Sequence, residues 1–257
     1  MFRSSRVFRS IPMLALAIVA CGSQASGQVS SSPSAASSAA PVPQSAAKGP
    51  CTNPYMPVVT GATWTYAVKN NVNGPSTSTS AITAVAADSF TLDIKSPTGN
   101  STEMWSCNRD GLLQQQYSGG AAGATFSGPD GTATITNVVN TGLTMPLTIK
   151  PGDSWTQRTA YSLSSSGGVS GTSTTTFTYR AIGTESVTVP AGTFDAMRVD
   201  MTVASAFTFA SGQVINSSSS ASTWLVKGKG LAKMTMATDI GSSNVSFEEN
   251  LQSVQIP

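Results

Sequence analysis

Histidine is absent from the 257 residues. With it go Ser-His-Asp and Cys-His nucleophilic catalysis, imidazole-ligated zinc and histidine acid–base chemistry. Charge is scarce as well, at 10% of residues, and no basic cluster occurs, so nothing electrostatic points to nucleic acid as a partner. Cysteine appears three times and never as Cys-x-x-Cys, the spacing of a redox dithiol. No apolar run approaches the roughly 20 residues that a membrane-crossing helix needs, and helical spacing is never sustained. Neither a cofactor nor a metal site is expected.

What is present begins with Arg3, Arg6 and Arg9 ahead of an apolar run from Ile11 to Ala20, the layout of a secretory signal over residues 1–20. Ile18, Val19, Ala20 and Cys21 resemble a bacterial lipobox, which makes Cys21 the expected lipidation site and the new N-terminus. The alternative is cleavage after Ala20 or Ala25 without acylation. An odd cysteine in an exported chain asks for a role; acylation of Cys21 supplies one and leaves Cys51 and Cys107 to pair as a disulfide in an oxidising compartment. Removing the three leader arginines leaves eleven basic against twelve acidic side chains.

Residues 21–50 comprise Cys21 and a stretch too rich in Ser, Ala, Pro and Gly to bury a core. As a flexible linker it would reach about 30 Å. From Cys51 to Pro257 the pattern is that of β-strands. In "TFDAMRVDMTV" Met197, Val199, Met201 and Val203 alternate with Arg198, Asp200 and Thr202. The same period joins Trp64, Tyr66 and Val68; Phe90, Leu92 and Ile94; Phe177 with Tyr179; and Trp224 with Val226. One apolar face per strand predicts an antiparallel sheet in a single all-β domain, strongly curved, barrel-like or sandwiched. Asp-Gly pairs in "RDGL" (109–112) and "PDGT" (129–132) predict hairpins. "VTVPAGTFDAMRV" predicts strand, turn and strand, and "KGKGLAK" (227–233) predicts a hairpin rather than a phosphate loop, because no helix follows it. An internal echo links "MPVVTGATWTY" and "MPLTIKPGDSWTQ": each runs Met-Pro, aliphatics, Gly, two residues, Trp-Thr.

Catalytic signals are thin. Ser45 and Lys48 match Ser-x-x-Lys inside the linker, where nothing fixes their geometry. Glu248 and Glu249 are adjacent and point to opposite faces of a strand, as do Asp195 and Asp200; all are expected to be solvated surface charges. Trp64, Tyr66, Met197, Met201 and Trp224 form a candidate apolar binding face.

"NPYMPVVTGATWTY", "LTIKPGDSWT", "VTVPAGTFDAMRV" and "TWLVKGKGLAKM", in that order, resemble the TapB-like family of bacterial envelope lipoproteins across most of residues 53–236. The chain departs from the family pattern at Leu225, Val226, Lys227 and Ala232. The resemblance implies a predominantly antiparallel β domain and carries no active site. The expectation is an exported protein, attached through lipid on Cys21 to the outer membrane or the external face of the cell membrane. Its β domain is read as a non-catalytic binding or scaffolding module for a protein or glycan. A carrier or sensor of a hydrophobic ligand in a curved sheet is the alternative, and a histidine-independent hydrolase the third reading. Gly22 lacks the aspartate that in many double-membraned bacteria retains lipoproteins at the inner membrane.

Overall fold

The computed structural model describes residues 51–72, 74–97, 99–115, 125–128, 131–240 and 243–257. The signal segment, Cys21, the Ser45–Lys48 pair and the 129–130 part of the "PDGT" turn lie outside these. Among the described residues there is no helix, and all fourteen strands belong to one sheet. In chain order they are β1 (Thr63–Asn70), β2 (Gly74–Val85), β3 (Ser89–Ser96), β4 (Gly99–Asn108), β5 (Gly111–Gln114), β6 (Thr125–Gly128) and β7 (Gly131–Gly142). There follow β8 (Met145–Pro146), β9 (Ser154–Ser165), β10 (Ser170–Val189), β11 (Gly192–Phe209), β12 (Val214–Val226), β13 (Gly230–Ile240) and β14 (Ser243–Gln255). Every pairing is antiparallel. The hairpins expected at 109–112, 187–199 and 227–233 are all present, as β4–β5, β10–β11 and β12–β13.

The sheet order runs β6-β7-β9-β10-β11-β12-β13-β14-β1-β2-β3-β4-β5-β8. β7 and β8 stand near opposite ends of that order, yet only Leu143 and Thr144 separate them in sequence. One continuous stretch therefore sews the two ends together. Gly142 is paired with Gln157 on β9, Leu143 N–H donates to Thr156 O, and Thr144 N–H donates to Leu112 O. Met145 and Pro146 then pair with Leu112 and Gly111 of β5. The curl closes the sheet on itself at this seam.

Alternation decides which residues face inward. Trp64, Tyr66, Leu92, Phe90, Trp105, Cys107, Leu112 and Leu251 are buried in one apolar cluster that fills the end of the barrel where β1 begins. Met197, Val199, Ala181 and Leu225 form a second, capped by Tyr55 and Ile149 from the loops. A smaller third cluster, Ile135, Leu163 and Phe207, lies toward the other end. Cys51 and Cys107 are joined by a disulfide with Cα atoms 5.1 Å apart, which fixes residue 51 to β4. Asn53 donates its side-chain amide to Pro146 O, and Gly228 N–H donates to Pro54 O, so the 51–58 segment is strapped across the barrel mouth.

The internal echo in the sequence has a structural counterpart. Gly61 and Gly152 both take positive φ, +88° and +91°, a conformation glycine adopts without the Cβ penalty. Gly61 N–H donates to Ile82 O and Ile82 N–H to Ala62 O; Gly152 N–H donates to Ala181 O and Ala181 N–H to Asp153 O. Each glycine is followed three residues later by a tryptophan whose indole N–H donates to a backbone carbonyl, Trp64 to Lys229 and Trp155 to Thr144. The same lead-in turn thus opens two meanders, β1–β5 and β9–β13.

Candidate functional site

Inward-facing rows are not uniformly apolar. Val68 pairs with Glu249 across β1 and β14, and Leu92 pairs with Glu103 across β3 and β4. Both glutamates share the face of Tyr66 and Trp105, inside the curl. Along a flat sheet β4 and β14, four strands apart, would stand roughly 19 Å from each other. The charge of Glu249 is a minor cause of the raised pKa of Glu103.

Burial is the largest influence on both and pushes each to about 7. Hydrogen bonds oppose the rise. Trp105 Nε1–H donates to Glu103 Oε2 at 3.1 Å, and the Gln114 side chain also bonds Glu103. Ser78 Oγ–H donates to Glu249 Oε1 at 3.0 Å. Each glutamate keeps some accessible surface, which places it in a recess rather than a sealed cavity. The Tyr66 phenol is pushed well above its ordinary value, first by burial and then by the Glu249 charge; its hydroxyl donates to Leu231 O. Glu248, one residue away, points outward and pairs with Lys233 at 3.9 Å.

The expectation that Glu248 and Glu249 occupy opposite faces therefore holds, while the expectation that both are solvated charges fails for Glu249. The cause is non-local: which side of β14 becomes the interior depends on how β1–β5 curl over it. Asp200 does lie on the outer face, where its carboxylate accepts from Arg198 Nε–H at 2.8 Å and Ser222 Oγ–H at 2.8 Å.

Glu103 is wired to the seam. Gln114, whose side chain bonds it, donates its backbone N–H to Thr144 Oγ1 at 2.9 Å and accepts through its backbone O from Gln157 Nε2 at 3.2 Å. Gln157 is 1% exposed, and its Oε1 accepts from Thr144 Oγ1 at 2.8 Å and from the Tyr179 hydroxyl at 3.2 Å. Asn140 Nδ2 adds a bond to Gln115 O at 2.6 Å. A buried amide with its polar atoms satisfied in this way is specific to one arrangement of its neighbours.

The five residues of the candidate apolar face separate. Trp64, Tyr66 and Met197 are buried in the clusters described above. Met201 is inward and half-buried, in register with Ala221, Met236 and Phe247, with Met234 in the next inward row. Trp224 lies on the other face: it pairs with Arg198 and Lys233, whose cationic groups sit 5.6 and 5.5 Å from its ring centroid, and its indole N–H donates to Glu185. The register shift beside it lies on β13, where Ala232 is the extra residue, so Trp224 and Val226 share a face of β12 and both pack in the first apolar cluster.

Two shallow depressions lie over the sheet. The larger, about 580 Å³, crosses β11–β14 and β1 past Asp200, Ser222, Thr235, Glu248 and Lys69. The smaller, about 510 Å³, is floored by Thr174, Thr176, Ala204, Ala206, Asn216 and Ser218, all outward-facing.

No family model matches the chain, and no curated protein matches it. Among solved structures, similarity is found to a candidate lipoprotein of Parabacteroides distasonis, with 12% identity, 79% of this chain and 99% of that one covered, and a TM-score of 0.45. A candidate exported protein of Bacteroides fragilis with a YmcC-like fold gives 12%, 80%, 100% and 0.45. The hypothetical lipoprotein YmcC of Escherichia coli gives 12%, 78%, 87% and 0.37. Likeness at this level assigns no activity.

Proposed function

We propose that the protein is exported and anchored through lipid on Cys21 to the outer membrane or the external face of the cell membrane. Its β domain acts there as a non-catalytic binding or scaffolding module. The observation that carries the second half is the filled interior: Trp64, 2% exposed, Tyr66 and Met197 pack against the chain's own side chains rather than lining an open cup. Contact with a partner then falls to the outer surface, where polar rows border both depressions. The lipobox and the motif-by-motif resemblance to TapB-like envelope lipoproteins support the first half, and the disulfide suits an oxidising compartment. Metabolic labelling with a fatty acid tests the anchor. Wild type should be labelled and membrane-bound, and Cys21→Ser neither; an unlabelled wild type cut after Ala25 contradicts it.

A second reading, carriage of a hydrophobic ligand, is favoured by one feature. Met201, Met234 and Met236 face inward with part of their surface accessible, and thioether side chains adapt to varied apolar shapes. Saturable uptake of an apolar ligand that is lost in Met236→Lys would support it.

A further inference from the structure

The two ends of the barrel differ in chemistry. Cys51, where the chain enters the domain, is tied to Cys107 at the close of β4 and so lies at the mouth crossed by the 51–58 strap. Around that mouth Val59, Val85, Leu147, Ile182 and Ile256 are each 37 to 42% exposed; each ends a strand, lies in a turn, or stands where β10 runs past its last β9 partner. The turn cations are here as well: Arg109, Lys150, Lys227 and Lys229. At the opposite end the turns 71–73, 97–98, 166–169, 210–213 and 241–242 hold no lysine or arginine. Asp88, Asp110 and Asp153 share the mouth; Asp110 lies 3.7 Å from Arg109, and Asp153 accepts the Lys150 backbone N–H at 2.8 Å. The 227–229 turn is fixed from both sides, by Gly228 N–H to Pro54 O and by the Trp64 indole to Lys229 O. Its two ammonium groups sit 5.9 and 5.7 Å from the ring centroids of Tyr55 and Phe194, which holds them at the rim.

We propose that this mouth rests on the phospholipid surface that holds the anchor, with Val59, Leu147 and Ile182 entering the headgroup layer and Lys150, Lys227 and Lys229 meeting lipid phosphates. The contact rests on the lipid anchor at Cys21 proposed above. Only residues 22–50 separate that cysteine from Cys51, and a chain of this length and composition reaches about 30 Å. The tether therefore presents the strapped mouth to the bilayer at high effective concentration, where an interaction too weak to recruit a free domain is enough to orient a tethered one. Scattered aliphatics at an interface gain by leaving water, and each lysine near an anionic surface adds about a fivefold preference. With the mouth on the membrane, the barrel walls and both depressions stay open to a partner.

Spin labels on the acylated mature chain test this, because Cys21 is blocked by lipid and Cys51 and Cys107 by their disulfide, so one added cysteine takes the label. Val59→Cys and Leu147→Cys report on the mouth, and Val72→Cys and Val214→Cys on the far end; all four positions are exposed. The protein is reconstituted in phosphatidylcholine vesicles containing phosphatidylglycerol, floated, and probed with oxygen, which concentrates in lipid, against a nickel chelate, which stays in water. Mouth labels should be favoured by oxygen and far-end labels by the chelate. Joint Lys227→Glu and Lys229→Glu substitution should lower the docked-to-undocked ratio about tenfold or more. Mouth labels as accessible to the chelate as far-end labels, on protein that floats with the vesicles, overturn the contact and leave the anchor standing, and a mouth signal that survives the double charge reversal overturns it too. Protein that does not float overturns the anchor and this contact with it.

Discussion

The two meanders start from the same lead-in turn and then diverge. In β1–β5 the strands run 8, 12, 8, 10 and 4 residues; in β9–β13 they run 12, 20, 18, 13 and 11. The short meander turns Trp64, Tyr66, Ile82, Phe90, Leu92, Trp105 and Leu112 inward, with Phe90 and Trp105 stacked at 5.5 Å. The long one turns hydroxyls inward over much of its length: Thr159, Ser173, Thr175, Ser205 and Ser219 are buried there, with Thr175 and Ser205 bonded at 2.9 Å. A shared turn fixes where a strand pair begins, whereas the chemistry of the inward rows fixes what each half contributes. The short half supplies the large aromatic members of the first cluster, and the long half supplies the strand residues of the second. The far ends of the long strands, at Leu163 and Phe207, pack in the small third cluster.

Equal truncations on the two sides break this comparison most sharply. Trp64→Ala, deep in the short meander, should cost about 3 to 5 kcal/mol, and Leu163→Ala in the far cluster about 2 kcal/mol, the low end for its type. Urea denaturation midpoints at constant m-value report both. Removing the disulfide with Cys51→Ser and Cys107→Ser unties the strap from β4 and should cost about 2 to 4 kcal/mol without changing the far-UV signature of the sheet.

A smaller effect is set by pH. Because Glu103 and Glu249 are raised to about 7, global stability should decline between pH 4.5 and 7.5. The expected loss is about 1 to 2 kcal/mol per group once their residual accessibility is discounted. The doubly substituted Glu103→Gln, Glu249→Gln protein should show a flatter profile. Smallest is the lead-in turn itself. Gly61→Ala and Gly152→Ala place a Cβ in a left-handed conformation with no backbone crowding nearby, so each should cost about 1 kcal/mol. Matched losses would sharpen the equivalence of the two turns.

Much of this was legible residue by residue. The Met-Pro…Gly-x-x-Trp echo marks both lead-in turns because a positive-φ glycine and a tryptophan at fixed spacing are local requirements. Asn108 Oδ1 accepts from Asp110 and Gly111 N–H, so the "RDGL" hairpin is also local chemistry. The Cys51–Cys107 bond followed from cysteine count. Trp224 parts from Met197 and Met201 because it pairs directly with Arg198, a cross-strand register that alternation within a single strand does not reveal. Glu103 and Glu249 escaped because their burial depends on strands four positions away in the sheet, and the seam escaped because Gln114, Thr144 and Gln157 are ordinary polar residues until closure brings them together.

The filled interior is the claim on which the rest depends, and titration of the mature chain with a fluorescent fatty acid, followed by probe emission at pH 5, meets it most directly. A core occupied by Trp64, Tyr66 and Met197 predicts no saturable enhancement in wild type. Stoichiometric, saturable binding that Trp64→Ala abolishes at little cost in stability would contradict it and make the protein a carrier.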